Sequence, residues 1–137
     1  MMTKKLTFLG IETSCDETAA AVIRENDNGT ADILSNIVSS QIDEHKKFGG
    51  VVPELAARAH IDKIDWIVQR AIDESGIKKE TIDAVASTAG PGLIVCLSVG
   101  LSFGKSFASG MNIPFLSLIH ISEPTRRTPI SYAVFCL

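Results

Sequence analysis

Two short apolar runs, Leu6 to Ile11 and Ala19 to Arg24, stand on either side of the polar segment Ser14-Cys15-Asp16-Glu17-Thr18. Short apolar runs bounded by polar residues read as strands, so the segment predicts a hairpin whose turn is loaded with side-chain oxygens. Asn26-Asp27-Asn28-Gly29 is a dense turn signal, and Ile33, Ile37, Val38 and Ile42 after it predict a third strand leading to Gln41. Three adjacent antiparallel strands are the simplest arrangement. Gly49-Gly50-Val51-Val52-Pro53 then breaks the chain, with Pro53 suited to the first turn of a helix, where its missing N–H is not needed.

That helix is expected to run to about Ser75 and stop at Gly76. Ile61, Ile64, Val68, Ala71 and Ile72 follow helical spacing on its packed side, and Asp62, Lys63, Asp65, Gln69 and Arg70 fall on the wet side. Asp83 to Ala89 predicts a strand, Gly90-Pro91-Gly92 a turn, and Leu93 to Gly110 a helix whose Gly100 and Gly104 permit close approach of another backbone. Ile113 to Leu118 predicts a last strand. Strands, helix, strand, helix and strand in that order indicate an α/β fold with a mixed sheet flanked by helices.

Composition narrows the class. At 137 residues, 45% hydrophobic and 21% charged, the chain has one domain's length and enough apolar material for a core. Its net charge of -3 provides no whole-chain basic field of the kind that announces a nucleic-acid partner. Cys15, Cys96 and Cys136 are odd in number and widely spaced, which speaks against a disulfide framework or a metal knuckle and for a cytoplasmic location. No complete signal peptide is visible, and no run approaches the roughly 18 apolar residues of a membrane span. A soluble protein without a membrane partner is expected.

The segment GIETSCDET crowds Glu12, Asp16 and Glu17 with Thr13, Ser14, Cys15 and Thr18 into one connection between strands. Carboxylates so close repel one another unless a cation, a phosphate-bound metal or a polar substrate makes use of them. The plain alternative is a solvated polar turn. Gly90-Pro91-Gly92 lies between a strand and a helix N-terminus, where backbone N–H groups can receive an anion, although such turns are as often structural. His45 and His60 match no simple metal spacing, and each reads as a hydrogen-bonded structural histidine. Cys15 has no His–Asp arrangement near it to make it a nucleophile. Trp66 and Met111 read as packing residues.

Taken together and in register, GIETSCDET, SSQIDEHKKFGGVVPELAARAH and STAGPGLIVCLSVGLSFGKSFA resemble the tRNA adenosine threonylcarbamoyltransferase family, once called glycoprotease or O-sialoglycoprotein endopeptidase. The resemblance runs from Leu6 to about Phe115. It implies the actin and sugar-kinase fold, in which each of two lobes is built on a ribonuclease-H-like sheet, with this chain supplying most of the first. It also implies transfer of a threonylcarbamoyl group from threonylcarbamoyl-adenylate to an anticodon-loop adenosine of tRNA. By that likeness Asp16 and Glu17 are the candidate catalytic bases, and Glu12, Thr13, Ser14, Gly90, Pro91 and Gly92 are the candidate substrate- and nucleotide-binding residues. Implied partners are tRNA, a paralogous scaffold subunit and an ATPase subunit.

The family binds a divalent metal, iron or zinc, through an HxxxH pair. Lys105-Ser106 and Pro114 of the preceding motif are in place and His120 falls at the first histidine, but its partner position is Pro124, so no metal ligand is assigned. Residues 116–137, reading LSLIHISEPTR and then ISYAVFCL, resemble a translated sequencing-library adapter. The expected organisation is therefore a native lobe over residues 1–115 and a foreign tail over 116–137, the native piece being a fragment too incomplete for turnover. Two rivals share the fold. A noncatalytic paralogous scaffold resembles the transferase poorly in the two intact segments SCDET and GGVVPE, and a carbohydrate kinase would end its first strand in Asp-x-Gly where this chain has Ile-Glu-Thr-Ser. No nucleophile triad or HExxH motif supports the old protease label.

Overall fold

A computed structural model describes residues 4–119 and 135–136. Strands β1 (Thr7–Glu12), β2 (Glu17–Glu25) and β3 (Ala31–Ser40) form an antiparallel meander. On its other edge β1 pairs in parallel with β4 (Ala84–Gly90), β4 pairs in parallel with β5 (Phe115–Ile119), and the two-residue β6 (Phe135–Cys136) adds antiparallel to β5. The order across the sheet is β3-β2-β1-β4-β5-β6, so the mixed pairing expected from the element order is present. Three helices, α1 (Ile42–Lys46), α2 (Pro53–Ser75) and α3 (Ile94–Met111), complete the described chain with a 3-10 turn over Lys79–Thr81.

The two-residue period of the strands decides which face is covered. Leu9 and Ile11 of β1 and Ala20 and Val22 of β2 are buried, whereas the alternate residues Phe8, Gly10, Ala19 and Ala21 are only half-buried. Helices α2 and α3 both pack on the first face and on each other, joining Ile64, Ile67, Val68, Ala71, Ile72 and Ala108 to those strand residues in one core. Among the described residues no helix covers the second face.

Helix α2 begins with Pro53 in its first turn and ends at Gly76, whose φ of 76° lies in the left-handed region that glycine enters without steric cost. Its buried stripe holds Ile64, Val68, Ala71 and Ile72 as expected and departs from the expectation only at the first member. His60 is fully enclosed and Ile61 is 61% exposed, because Ala56, His60, Ile64, Ile67 and Ala71 are the positions that share the core-facing side. Trp66 is 47% exposed and does not pack in the core, while Met111 is half-buried. The third strand also stops short of Ile42. Gln41 is buried and donates its backbone N–H to the Asp16 carbonyl, which turns the chain into α1 and leaves Ile42 on the surface.

Helix α3 corrects two further expectations. It is 18 residues long and, by length and composition, apolar enough to cross a membrane. Here it lies on β4 and β1 as the sheet's covering helix. The atoms nearest its glycines are side chains of the sheet and of the loop after β1: a Cβ on Gly100 would stand 2.6 Å from Thr13 Oγ1, and one on Gly104 would meet Ser87 Oγ and, at 2.7 Å, the Phe115 ring.

Candidate functional site

Because β1 and β4 are parallel neighbours, the loops that leave their carboxyl ends emerge side by side, the place where open α/β sheets hold ligands. The first is Thr13–Asp16 and the second Gly90–Gly92, with a cis peptide between Gly90 and Pro91. They touch. The Leu93 N–H, at the start of α3, donates to the Ser14 carbonyl at 2.8 Å, and a Cβ on Gly92 would stand 2.6 Å from that same oxygen, so a side chain there has no room.

Two further donors hold the next two carbonyls of the first loop. Cys15 O accepts from His60 Nε2 at 2.9 Å, and Asp16 O accepts from the Gln41 N–H at 2.8 Å. Three consecutive peptide carbonyls are thus anchored by α3, α2 and the segment after β3. Such a loop is held at each of its last three carbonyls, and the Asp16 and Glu17 side chains are not among its anchors.

The sequence-derived candidates divide by this geometry. Thr13 is buried and its hydroxyl bridges α3, donating to Cys96 O at 2.7 Å and accepting from the Gly100 N–H at 3.0 Å. Those two groups are four residues apart, so the hydroxyl spans one rung of the helix's own hydrogen-bond ladder. Ser87 Oγ adds a bond to Gly100 O at 3.0 Å. Glu12 faces the opposite side of the sheet; one carboxylate oxygen accepts the Ser14 N–H and the other accepts Thr88 Oγ1 at 2.7 Å. It borders a depression of about 240 Å³ lined also by Gly10, Ala19, Ala21 and Asn36. Ser14, Asp16 and Gly90 are half-buried, and Glu17, Pro91 and Gly92 are exposed. Among the described residues the Asp16 and Glu17 carboxylates make no hydrogen bond or ion pair.

Burial pushes the half-buried Cys15 thiol up from its ordinary value, and the negative charges of Asp16 and Glu12 add to the effect. The thiol therefore stays protonated near neutrality, which agrees with the absence of a nucleophile signature.

Behind the loop lies a polar network that sequence reasoning saw only as two separate structural histidines. The Val52 N–H donates to His45 Nδ1 at 3.2 Å, which leaves His45 Nε2 to donate to Gln41 Oε1 at 2.9 Å. Gln41 Nε2 then lies 3.3 Å from His60 Nδ1, and Thr18 Oγ1 lies 2.7 Å from the same nitrogen. With His60 Nδ1 accepting, Nε2 carries the proton that goes to Cys15 O. Every donor meets an acceptor when both imidazoles are neutral. Burial holds the His60 pKa below its ordinary value against the pull of its bond to Cys15 and of the Glu12 charge. A usable signal existed in the sequence: Thr18 shares strand parity with Ala20 and Val22, and His60 sits one helical turn before Ile64.

Both ring nitrogens of both histidines are engaged, and among the described residues no group of three His, Cys, Asp or Glu side chains is placed to hold a metal. The residues in view do not fit the divalent metal implied by the resemblance. His120 and Pro124 lie outside the described residues.

A family profile described as tRNA N6-adenosine threonylcarbamoyltransferase matches residues 32–127. A Pelagibacter ubique protein of that name is 64% identical over 140 residues, covering 99% of this chain and 39% of the relative. One from Brucella canis is 55% identical over 116 residues, covering 85% of this chain and 32% of the relative. The chain therefore spans well under half the length of the curated relatives it matches. Among solved structures, YeaZ from Pseudomonas aeruginosa superposes with a TM-score of 0.58 at 21% identity, over 82% of this chain and 43% of its own. T. thermophilus RuvC in complex with a Holliday junction superposes with a TM-score of 0.55 at 14% identity, over 84% and 66%. At those identities the structural likeness shows the fold alone, a mixed sheet flanked by helices of the actin and sugar-kinase type.

Proposed function

Since the chain belongs to the tRNA N6-adenosine threonylcarbamoyltransferase family, we propose that the full-length protein moves a threonylcarbamoyl group from threonylcarbamoyl-adenylate to the N6 amine of an anticodon-loop adenosine. The adenine nitrogen attacks the carbonyl carbon of the mixed anhydride, a C–N bond forms, the C–O bond to phosphate breaks, and AMP leaves. The amine is a poor nucleophile because its lone pair is delocalised into the ring, so a base must take its proton as the bond forms. Asp16 or Glu17 is that base. The observation that supports this reading is the loop fixed on three carbonyls, with two carboxylates that make no hydrogen bond or ion pair among the described residues, beside the carboxyl ends of parallel strands. Ser14 and Gly90-Pro91-Gly92 border the substrate beside them, Glu12 holds the loop from the other face, and Thr13 acts by seating α3. Neither rival reading has an observation in its favour, whereas the strongest likenesses given above carry the transferase name.

The direct test supplies the adenylate and unmodified tRNA to the full-length protein with its partner subunits and follows acylated adenosine by mass. Absence of transfer overturns the reading. We further propose that the assembly contains tRNA, a paralogous scaffold subunit and an ATPase subunit, is cytoplasmic and is not membrane-bound. Any divalent metal, iron or zinc, would take its ligands from outside the described residues. The division into a native 1–115 and a foreign 116–137 remains a proposal, which adapter-free sequencing of the locus decides.

A further inference from the structure

His60 is fully enclosed, and the chemistry proposed above gives it no task. It cannot be the base, since its Nδ1 is occupied by Thr18 and its Nε2–H is committed to Cys15 O. Yet its two nitrogens reach the chain at residue 15 and at residue 18, immediately before and after the pair Asp16-Glu17. We propose that His60 is a positioning residue that straps this pair in place, acting through the Cys15 carbonyl; the proposal rests on the transfer reading above.

Three observations support it. Of the three donors to the loop carbonyls, those from Leu93 and Gln41 are backbone N–H groups, while His60 alone is a side chain. Its tautomer is fixed by the chain of bonds that runs back through Gln41 and His45 to the Val52 N–H. Finally, His60 takes a place in the core-facing stripe of α2 where an apolar residue would otherwise pack, so a polar group is buried there with all its bonds made. Fixing the loop from a rigid 23-residue helix gives the carboxylates a defined position without using either of them as an anchor.

The test uses two amide substitutions in the full-length protein with its partners. In His60→Gln the amide nitrogen reaches the place of Nε2 and keeps the bond to Cys15 O; in His60→Asn it reaches only the place of Nδ1. Because displacement of a catalytic group by about 1 Å costs about 10²-fold, kcat should fall by about that factor in His60→Asn and by less than about fivefold in His60→Gln, with KM for tRNA unchanged in both. Equal kcat values in two folded variants, or losses that track the folded fraction, overturn the proposal. Hydrogen exchange of the amides of residues 15–18 is read on the same samples and should be faster in His60→Asn than in wild type or His60→Gln. If wild type shows no transfer, the functional reading falls and exchange alone decides: faster exchange in His60→Asn upholds the strap, and equal exchange removes it.

Discussion

At the scale of single residues, the site is built by hydroxyls and imidazoles that look unremarkable in the sequence. Thr13 stands among residues expected to meet ligand, but its hydroxyl fills the gap between Cys96 O and the Gly100 N–H. Gly100→Ala would place a methyl 2.6 Å from that hydroxyl and should cost about 1–3 kcal/mol of stability by overpacking. At Gly50, where a Cβ would meet nothing within 4 Å, the same change should stay within about 0.5 kcal/mol. Denaturant midpoints of the two variants check the contrast. His60 makes a second prediction. Burial lowers its pKa in the folded state, so below the ordinary value of 6.5 the unfolded chain binds more protons and stability falls with pH, down through the depressed folded pKa. Between pH 7.5 and 5.5 the thermal midpoint of wild type should drop more than that of His60→Gln; parallel curves would show that the imidazole carries none of the dependence.

At the scale of elements, helix α2 shows what patterning settles and what it leaves open. Its limits were legible from Pro53 and Gly76, and its phase from Ile64 onward was too; the turn before Ile64 was not. Apolar residues at both 61 and 64 fit a helical face, and the packed neighbours decide that the polar His60 goes inward while Ile61 goes out. The strands were legible because their alternation places one face on the helices. The third strand ends beside Gln41 as expected, but the short helix after it was not foreseen, because Gln41 is held there by a bond to a residue 25 positions earlier, a non-local cause that no window of sequence contains. The outward Ile61 has a use in the proposed assembly. With Ile64, Val99 and Phe103 it lines a groove of about 560 Å³ between α2 and α3, which we propose as the contact for the paralogous scaffold. Ile61→Glu should leave the fold intact, since the position is exposed, and weaken pairing by at least about tenfold. Unchanged assembly in analytical ultracentrifugation would remove this groove from consideration.

At the scale of the molecule, the parallel pairing of β1 with β4 brings the acidic loop and the glycine turn to one edge, and the helix layer on the opposite side from Glu12 holds both from behind. The recognition segments in the sequence pointed to this edge, but not to the triple anchoring, in which, among the described residues, neither the Asp16 nor the Glu17 carboxylate takes part. That arrangement is the central claim: the two carboxylates serve chemistry and not folding. Turn side chains away from the core usually change stability by less than about 1 kcal/mol, so Asp16→Asn and Glu17→Gln in the full-length protein should keep the wild-type thermal midpoint. The measurement is threonylcarbamoyl transfer to unmodified tRNA with the adenylate supplied directly. At least one variant should lose about 10²–10⁴ in rate, the usual cost of removing a general base. Wild-type turnover by both, or losses explained by a lowered thermal midpoint, would contradict the account.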